Sequence, residues 1–261
     1  MEPKEEVALV CGGLSGAGRA ITVTLLSKGW SVVAQDVVPD AKAAADTLAR
    51  EAGAGDRLSV FSGEVASEDQ REALVESALE EFSRIDLLIC PALTGPAVVP
   101  ADLLELSPDA VQSALSAGAV TAMFLAQRVA NEMIRLIESG AIDGGKIIFL
   151  GNLTAYTTSA DQGLACLNAA AVAMLTRLFA DRLGEYGINV YEVRTGLMAT
   201  RRDEPGHARY DQLISDGLTP LRRWGRPHDV ALAVAAVADD SFIFSTGQVL
   251  DVDGGFHLRR L

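Results

Sequence analysis

The sequence predicts an α/β fold, a single domain over residues 1–261 built as a doubly wound parallel sheet of about seven strands with helices on both faces. Three observations predict it. The chain opens with a strand, a glycine turn and a helix. Short β-branched runs then alternate with longer stretches of helical period. Several strands are apolar without alternation, as happens when helices cover both faces of a sheet.

The first strand is Val7–Cys11, followed by Gly12, Gly13, Gly16 and Gly18 and then an apolar helical pattern over about 16–29. Glycines let the backbone turn sharply and approach a ligand, and the new helix points its free N–H groups at that place, which suits a pyrophosphate. The second strand, 31–35, ends at Asp36, about twenty residues past the glycines, where an acid would hold the ribose of a dinucleotide. Such a turn can also persist for packing alone. The charge of Asp36 favours NAD over NADP, and no Arg or Lys stands at Leu14, Ser15 or Val37 to reverse that preference. Further strands read at 58–61, 86–90, 146–151, 187–193 and 247–251. Helices read at about 40–53, 68–84, 101–104, 108–139, 160–184, 208–215 and 227–239. The polar segment 200–219, with its Pro-Gly turn, reads as a mobile lid or substrate loop, or as an ordinary surface excursion.

Apolar residues make up 49% of the chain, which disfavours disorder. A net charge of −13 argues against a nucleic-acid surface. No signal-peptide core opens the chain and no apolar run reads as a membrane span, so a cytoplasmic protein is expected. Cys11, Cys90 and Cys166 lack metal-ligand spacing and read as buried free thiols, with no metal site.

These residues resemble the short-chain dehydrogenase/reductase (SDR) family, a Rossmann-like fold, over nearly the whole chain. Cys11-Gly12-x3-Gly16-x-Gly18 is similar to the family's TGxxxGxG, with Cys for Thr. Glu64-Val65 stand with Asp36 where the family holds the adenosine half. "RIDLLI" at 84–89, "LTRLFADRLGEYGINV" at 175–190, "PLRRWGRPHDVA" and "TGQVLDVDGG" resemble family segments. The resemblance implies cofactor contacts at Gly12, Leu14, Ser15, Gly16, Ala17, Gly18, Asp36, Glu64 and Val65. It also implies NAD as the cofactor if one is bound.

The same alignment removes the family's Asn-Ser-Tyr-Lys chemistry. The Tyr position is Ala165, the Lys position Ala169, the Ser position Asn152 and the Asn position Gly118. The NNAG after strand four is Cys90-Pro91-Ala92-Leu93, and the Pro-Gly after strand six is Thr195-Gly196. No lysine follows Lys146, so no Tyr-x3-Lys pair exists downstream in any register. Tyr156 is a poor base alone, since a free phenol titrates near pH ~10; it reads as pocket wall or as a replacement base. Asn152 can donate a hydrogen bond to a carbonyl but not shuttle a proton. His207 reads as a lid acid/base or an exposed loop residue, His228 and His257 as structural. Arg201 and Arg202 read as an anion clamp or as partners of Asp203 and Glu204. Asp161 reads as a helix cap.

Three functions are expected in this order. The first is a non-catalytic subunit, with no catalytic residues of its own, that assembles with a complete SDR paralogue of the alcohol or hydroxyacyl-CoA dehydrogenase type. The helices at about 108–139 and 160–184 would carry that assembly, as homo- or hetero-oligomer, because they are apolar on more than one face; Val172, Met174, Leu175, Leu178 and Phe179 illustrate it. The second is an NAD(H)-dependent oxidoreductase of ketones or secondary alcohols that works without the tetrad. The third is an NAD-responsive regulator.

Overall fold

The computed structural model describes residues 6–91, 101–199 and 207–258. Seven strands form one parallel sheet in the order β3-β2-β1-β4-β5-β6-β7. They are β1 (Val7–Cys11), β2 (Ser31–Asp36), β3 (Leu58–Ser62), β4 (Leu87–Pro91), β5 (Gly145–Asn152), β6 (Ile188–Thr195) and β7 (Gln248–Val252). The order reverses between β1 and β4, so the carboxyl ends of these strands open the crevice where ligands bind in such sheets.

Helices α1 (Gly16–Ser27), α2 (Ala41–Ala52) and α8 (Pro227–Ala238) cover one face. Helices α3 (Glu68–Phe82), α5 (Thr121–Glu138) and α6 (Gly163–Leu183) cover the other. Each face has its own apolar layer. Leu9, Leu88, Ile147 and Phe149 point to the α5–α6 side. Ala8, Val10, Ile89, Ile148 and Val193 point to the α1–α8 side. Period-2 side-chain direction makes both halves of each central strand apolar, which is why the strands read as unbroken runs.

Two expected helices differ. The 101–104 helix is a single 3-10 turn, Leu103–Glu105. The 108–139 helix is divided into α4 (Pro108–Leu115), a π-helical segment (Ser116–Val120) and α5. The cause is Asn168 on α6, which is fully buried. Its Oδ1 accepts from the Ala119 backbone N–H at 2.9 Å and its Nδ2 donates to the Ala114 carbonyl at 3.0 Å and the Leu164 carbonyl at 3.2 Å. A side chain inserted into the backbone ladder opens a helix locally. The lid expectation is met only in part by described residues: 200–206 lie outside them, and His207–Ser215 is helix α7.

The expectation of no span-length apolar run is corrected. Pro108–Glu138 and Gly163–Tyr186 are long and apolar enough to cross a bilayer by length and composition. Here each lays a buried stripe on the sheet, Leu125, Val129 and Met133 from one and Val172 and Leu175 from the other. Their outer sides carry Met123, Phe124, Met174 and Leu178, all more than a third exposed.

Candidate functional site

The glycine turn is closed by contact. A Cβ at Gly18 would sit 2.0 Å from the Gly12 carbonyl oxygen, and one at Gly13 would meet the Val10 oxygen at 2.8 Å and the Ala34 Cβ at 2.9 Å. Gly12 and Gly16 hold φ of 68° and 50°, in the left-handed region. Ser15 precedes α1 without capping it; its hydroxyl donates to Asp36 instead, at 3.4 Å. The first turn of α1 therefore keeps free N–H groups at the carboxyl edge of the sheet and has no acidic side chain.

Asp36 binds the turn as well as facing it. Its Oδ2 also accepts from the Leu14 N–H at 3.3 Å, and its Oδ1 from Val37 N–H at 2.9 Å. Gln35, buried, ties the turn to the loop after β3: its Oε1 accepts from Gly12 N–H at 3.4 Å and its Nε2 donates to the Gly63 carbonyl at 2.6 Å. Glu64 on that loop is exposed, whereas the Val65 side chain packs into the core with Leu9 and Val33, and its carbonyl accepts from Arg71. Gly12, Leu14, Ser15, Gly16, Ala17, Gly18 and Asp36 thus lie together at the carboxyl ends of β1 and β2, and Glu64 is on the neighbouring loop after β3. The free helix N-terminus, the Cβ-excluding glycines and the acid at the end of β2 fit the pyrophosphate and ribose of a nicotinamide dinucleotide.

The second half of the crevice lies at the ends of β5 and β6. Ala165 and Ala169 are one turn apart on α6, with Ala169 buried. Asn152 ends β5, and its Oδ1 is engaged by the Thr154 N–H at 2.9 Å and by the Thr154 hydroxyl, leaving the amide nitrogen to donate. Gly118 is buried in the π-helical segment. Gly196 follows β6 closely against β7, since a Cβ there would lie 2.5 Å from Asp253 Cα.

Tyr156 is not a free phenol. Its hydroxyl donates to Asp253 Oδ2 at 2.9 Å, and the Arg194 guanidinium lies 5.8 Å from its ring centroid. Burial, then the bond to Asp253 and the charges of Asp253 and Asp251, push its pKa well above the usual phenol value; Arg194 opposes this. Asp253 also accepts from the N–H groups of Gly255 and His257 at 2.8 Å and pairs with the His257 ring at 2.9 Å. Burial works to raise its pKa, but the His257 contact and these N–H and O–H donors outweigh it and hold the carboxyl below its ordinary value. The His257 ring is thus held by Asp253.

Sequence reasoning missed a buried ion pair beside these residues. Glu192, fully buried, accepts from Arg194 Nε at 2.8 Å and Nη2 at 2.9 Å. It occupies the space above Gly151, where a Cβ would stand 2.2 Å from Glu192 Oε1. The signal was present: two opposite charges two residues apart in an apolar strand share a face. Asp251, the register partner of Arg194 on β7, keeps one buried oxygen without a hydrogen bond.

Lys146 is at the far end of β5. Its ammonium is bound by the Ala238 carbonyl at 2.7 Å and Asp240 at 2.8 Å, remote from the carboxyl edge. Asp161 does not cap α6, whose N-cap is Gln162; it accepts from the Ser159 hydroxyl. His228 is exposed at the start of α8. Arg201, Arg202 and Ala92-Leu93 lie outside the described residues, as does the His207 side chain. Cys11 and Cys90 are buried free thiols, and burial pushes Cys90 up to about 12; Cys166 is only partly buried, against that expectation. Among the described residues no cluster of metal-ligating side chains occurs.

A family model described as enoyl-(acyl carrier protein) reductase matches residues 12–257. A granaticin polyketide synthase putative ketoacyl reductase from Streptomyces violaceoruber is 30% identical over 259 residues, covering 98% of each chain. D-threitol dehydrogenase from Mycolicibacterium smegmatis is 30% identical, covering 97% of this chain and 94% of its own. The crystal structure of a 3-oxoacyl-[acyl-carrier protein] reductase from Brucella melitensis in complex with NAD superposes with a TM-score of 0.89, at 31% identity and full coverage of both chains.

Proposed function

The chain belongs to the short-chain dehydrogenase/reductase family, and from that premise we propose that it is a nicotinamide-dinucleotide-binding subunit without proton-transfer chemistry of its own. It would assemble with a catalytically complete SDR chain. One observation carries the reading. The two α6 positions where the family's acid/base pair stands, Ala165 and Ala169, hold only methyl groups, and the nearby Tyr156 has its proton committed to Asp253.

A bound nicotinamide would supply a hydride donor or acceptor. The residues of this chain supply the rest. Gly12, Gly16 and Gly18 let the backbone approach the pyrophosphate. Asp36 accepts from the ribose hydroxyls and disfavours a 2′-phosphate by charge, which makes NAD the expected cofactor. Asn152 can donate to a carbonyl oxygen, but the α6 positions beside it, Ala165 and Ala169, supply no acid or base to move a proton at that oxygen. Loss of an acid/base group commonly costs about 10²–10⁴ in rate. The exposed Met174 and Leu178 on α6, with Met123 and Phe124 on α5, support assembly through these helices.

A second reading is an NAD(H)-dependent oxidoreductase acting on ketones or secondary alcohols by a tetrad-independent route. The intact glycine turn and the reductase and dehydrogenase relatives favour it. Calorimetry of NAD against the purified chain and against Asp36→Arg tests the cofactor part; saturable binding lost in the variant is expected. Recovery from the native source tests the partner: an SDR chain with Tyr-x3-Lys should co-purify, and a lone homo-oligomer would contradict the subunit reading.

A further inference from the structure

Beyond the end of β6, outside the glycine turn, the chain builds a second groove of about 790 Å³ between residues 197–199, where Met198 bridges to Gly225, helix α7 and the turn leading to α8. Its size suits a small organic ligand. Arg222, Arg223 and Arg226, one acid, Asp211, and the apolar sides of Trp224 and Ile214 line it.

Three observations give it a chemistry. First, charge: the chain is −13 overall, yet the described residues 207–226 hold four arginines against two acids. Of the lining arginines, Arg223 is matched by a two-pronged bond to Asp229, at 2.7 and 2.9 Å. Arg222 and Arg226 are exposed and form no ion pair among the described residues. Second, backbone: Arg222 holds φ at 49°, a conformation that side chains other than glycine rarely adopt and that clusters at ligand clamps. Third, a fixed aromatic wall: the Trp224 indole N–H donates to Asp211 at 2.6 Å, and Tyr210 packs edge-on at 6.3 Å. A guanidinium pair beside a rigid indole recognises a carboxylate or phosphate carried on an apolar body.

We propose that this groove is a binding site for an organic anion, a carboxylate or phosphate ester with an apolar or aromatic body, held by Arg222 and Arg226 against Trp224. It does not rest on the subunit reading, because the arginines lie apart from the dinucleotide corner.

Trp224 provides the signal, since the other tryptophan, Trp30, is buried under α1 and β2. The probes are 3-phenylpropionate, phenyl phosphate and the neutral 3-phenylpropionamide, followed by tryptophan fluorescence in native protein, in Trp224→Phe and in Arg222→Gly/Arg226→Gln. Glycine relieves the left-handed position, so the double variant should fold, with its melting temperature not lowered. The expected result is saturable quenching by both anions, at least tenfold weaker binding of the amide, loss of the signal in Trp224→Phe and at least tenfold weaker anion binding in the double variant. The tighter of the two anions distinguishes carboxylate from phosphate ligands. An amide that binds as well as the anions, a double variant that binds them as native protein does, or no saturable response would overturn the proposal. NAD binding, measured alongside, should be unchanged in the double variant, so failure here and failure of the cofactor reading are separately visible.

Discussion

Tyr156 and Asp253 show how single residues decide the chemistry. A carboxylate that accepts four hydrogen bonds is stabilised in its charged form. Because the folded-state pKa of Asp253 is depressed, its contribution to stability is complete above the ordinary Asp value of about 3.9 and is lost as pH falls below that through the folded value. Acid unfolding of Asp253→Asn should therefore show a shallower loss of stability below pH ~4 than native protein. Tyr156 shifts the other way, so it should ionise later than a free phenol in an ultraviolet titration, and Tyr156→Phe should remove one late-titrating group. At Gly18 there is no room for even a methyl: Gly18→Ala should cost about 2–3 kcal/mol in denaturant unfolding and abolish NAD binding. At this scale the sequence was legible where a residue type differs from the family pattern. The departures from the family pattern at Gly118, Asn152, Ala165 and Ala169, and the lack of any lysine after Lys146, can be read by counting. It was less legible where residues act through partners far along the chain. Gln35 with Gly63, Tyr156 with Asp253 and Asn168 with Ala119 are each set by tertiary approach, which no local pattern encodes.

Among elements, the strands and most helices were legible because period-2 and 3.6 patterning and the glycine and proline punctuation agree. The break between α4 and α5 was not, since its apolar periodicity runs on through Ser116–Val120 and the cause is a side chain on another helix. Asn168→Ala should leave the Ala119 N–H and the Ala114 carbonyl unpaired inside the core. Unsatisfied buried groups cost about 1–3 kcal/mol each, so a loss of about 3 kcal/mol is expected by chemical denaturation. Hydrogen exchange should quicken at Ala119 before it does in β4 or β5. A variant as stable as native protein would mean that the π-helical segment holds itself.

Across the whole molecule, a parallel sheet places the glycine turn and the Asn152 end of β5 on one carboxyl edge, while the outer sides of α5 and α6 present methionine, leucine and phenylalanine to solvent. Leu178 is 58% exposed, so Leu178→Asp should leave the fold intact by circular dichroism yet lower the mass of the assembly by mass photometry. The central claim is that the chain holds a nicotinamide dinucleotide but does not turn it over. Its most direct test is NADH with the purified chain and a panel of ketones, with cofactor fluorescence reporting binding and absorbance at the reduced-nicotinamide band reporting turnover in the same cuvette. The account predicts saturable binding and a flat absorbance trace. An absorbance decay proportional to protein concentration, and lost in Asp36→Arg, would contradict it and establish an oxidoreductase that moves its proton by another route.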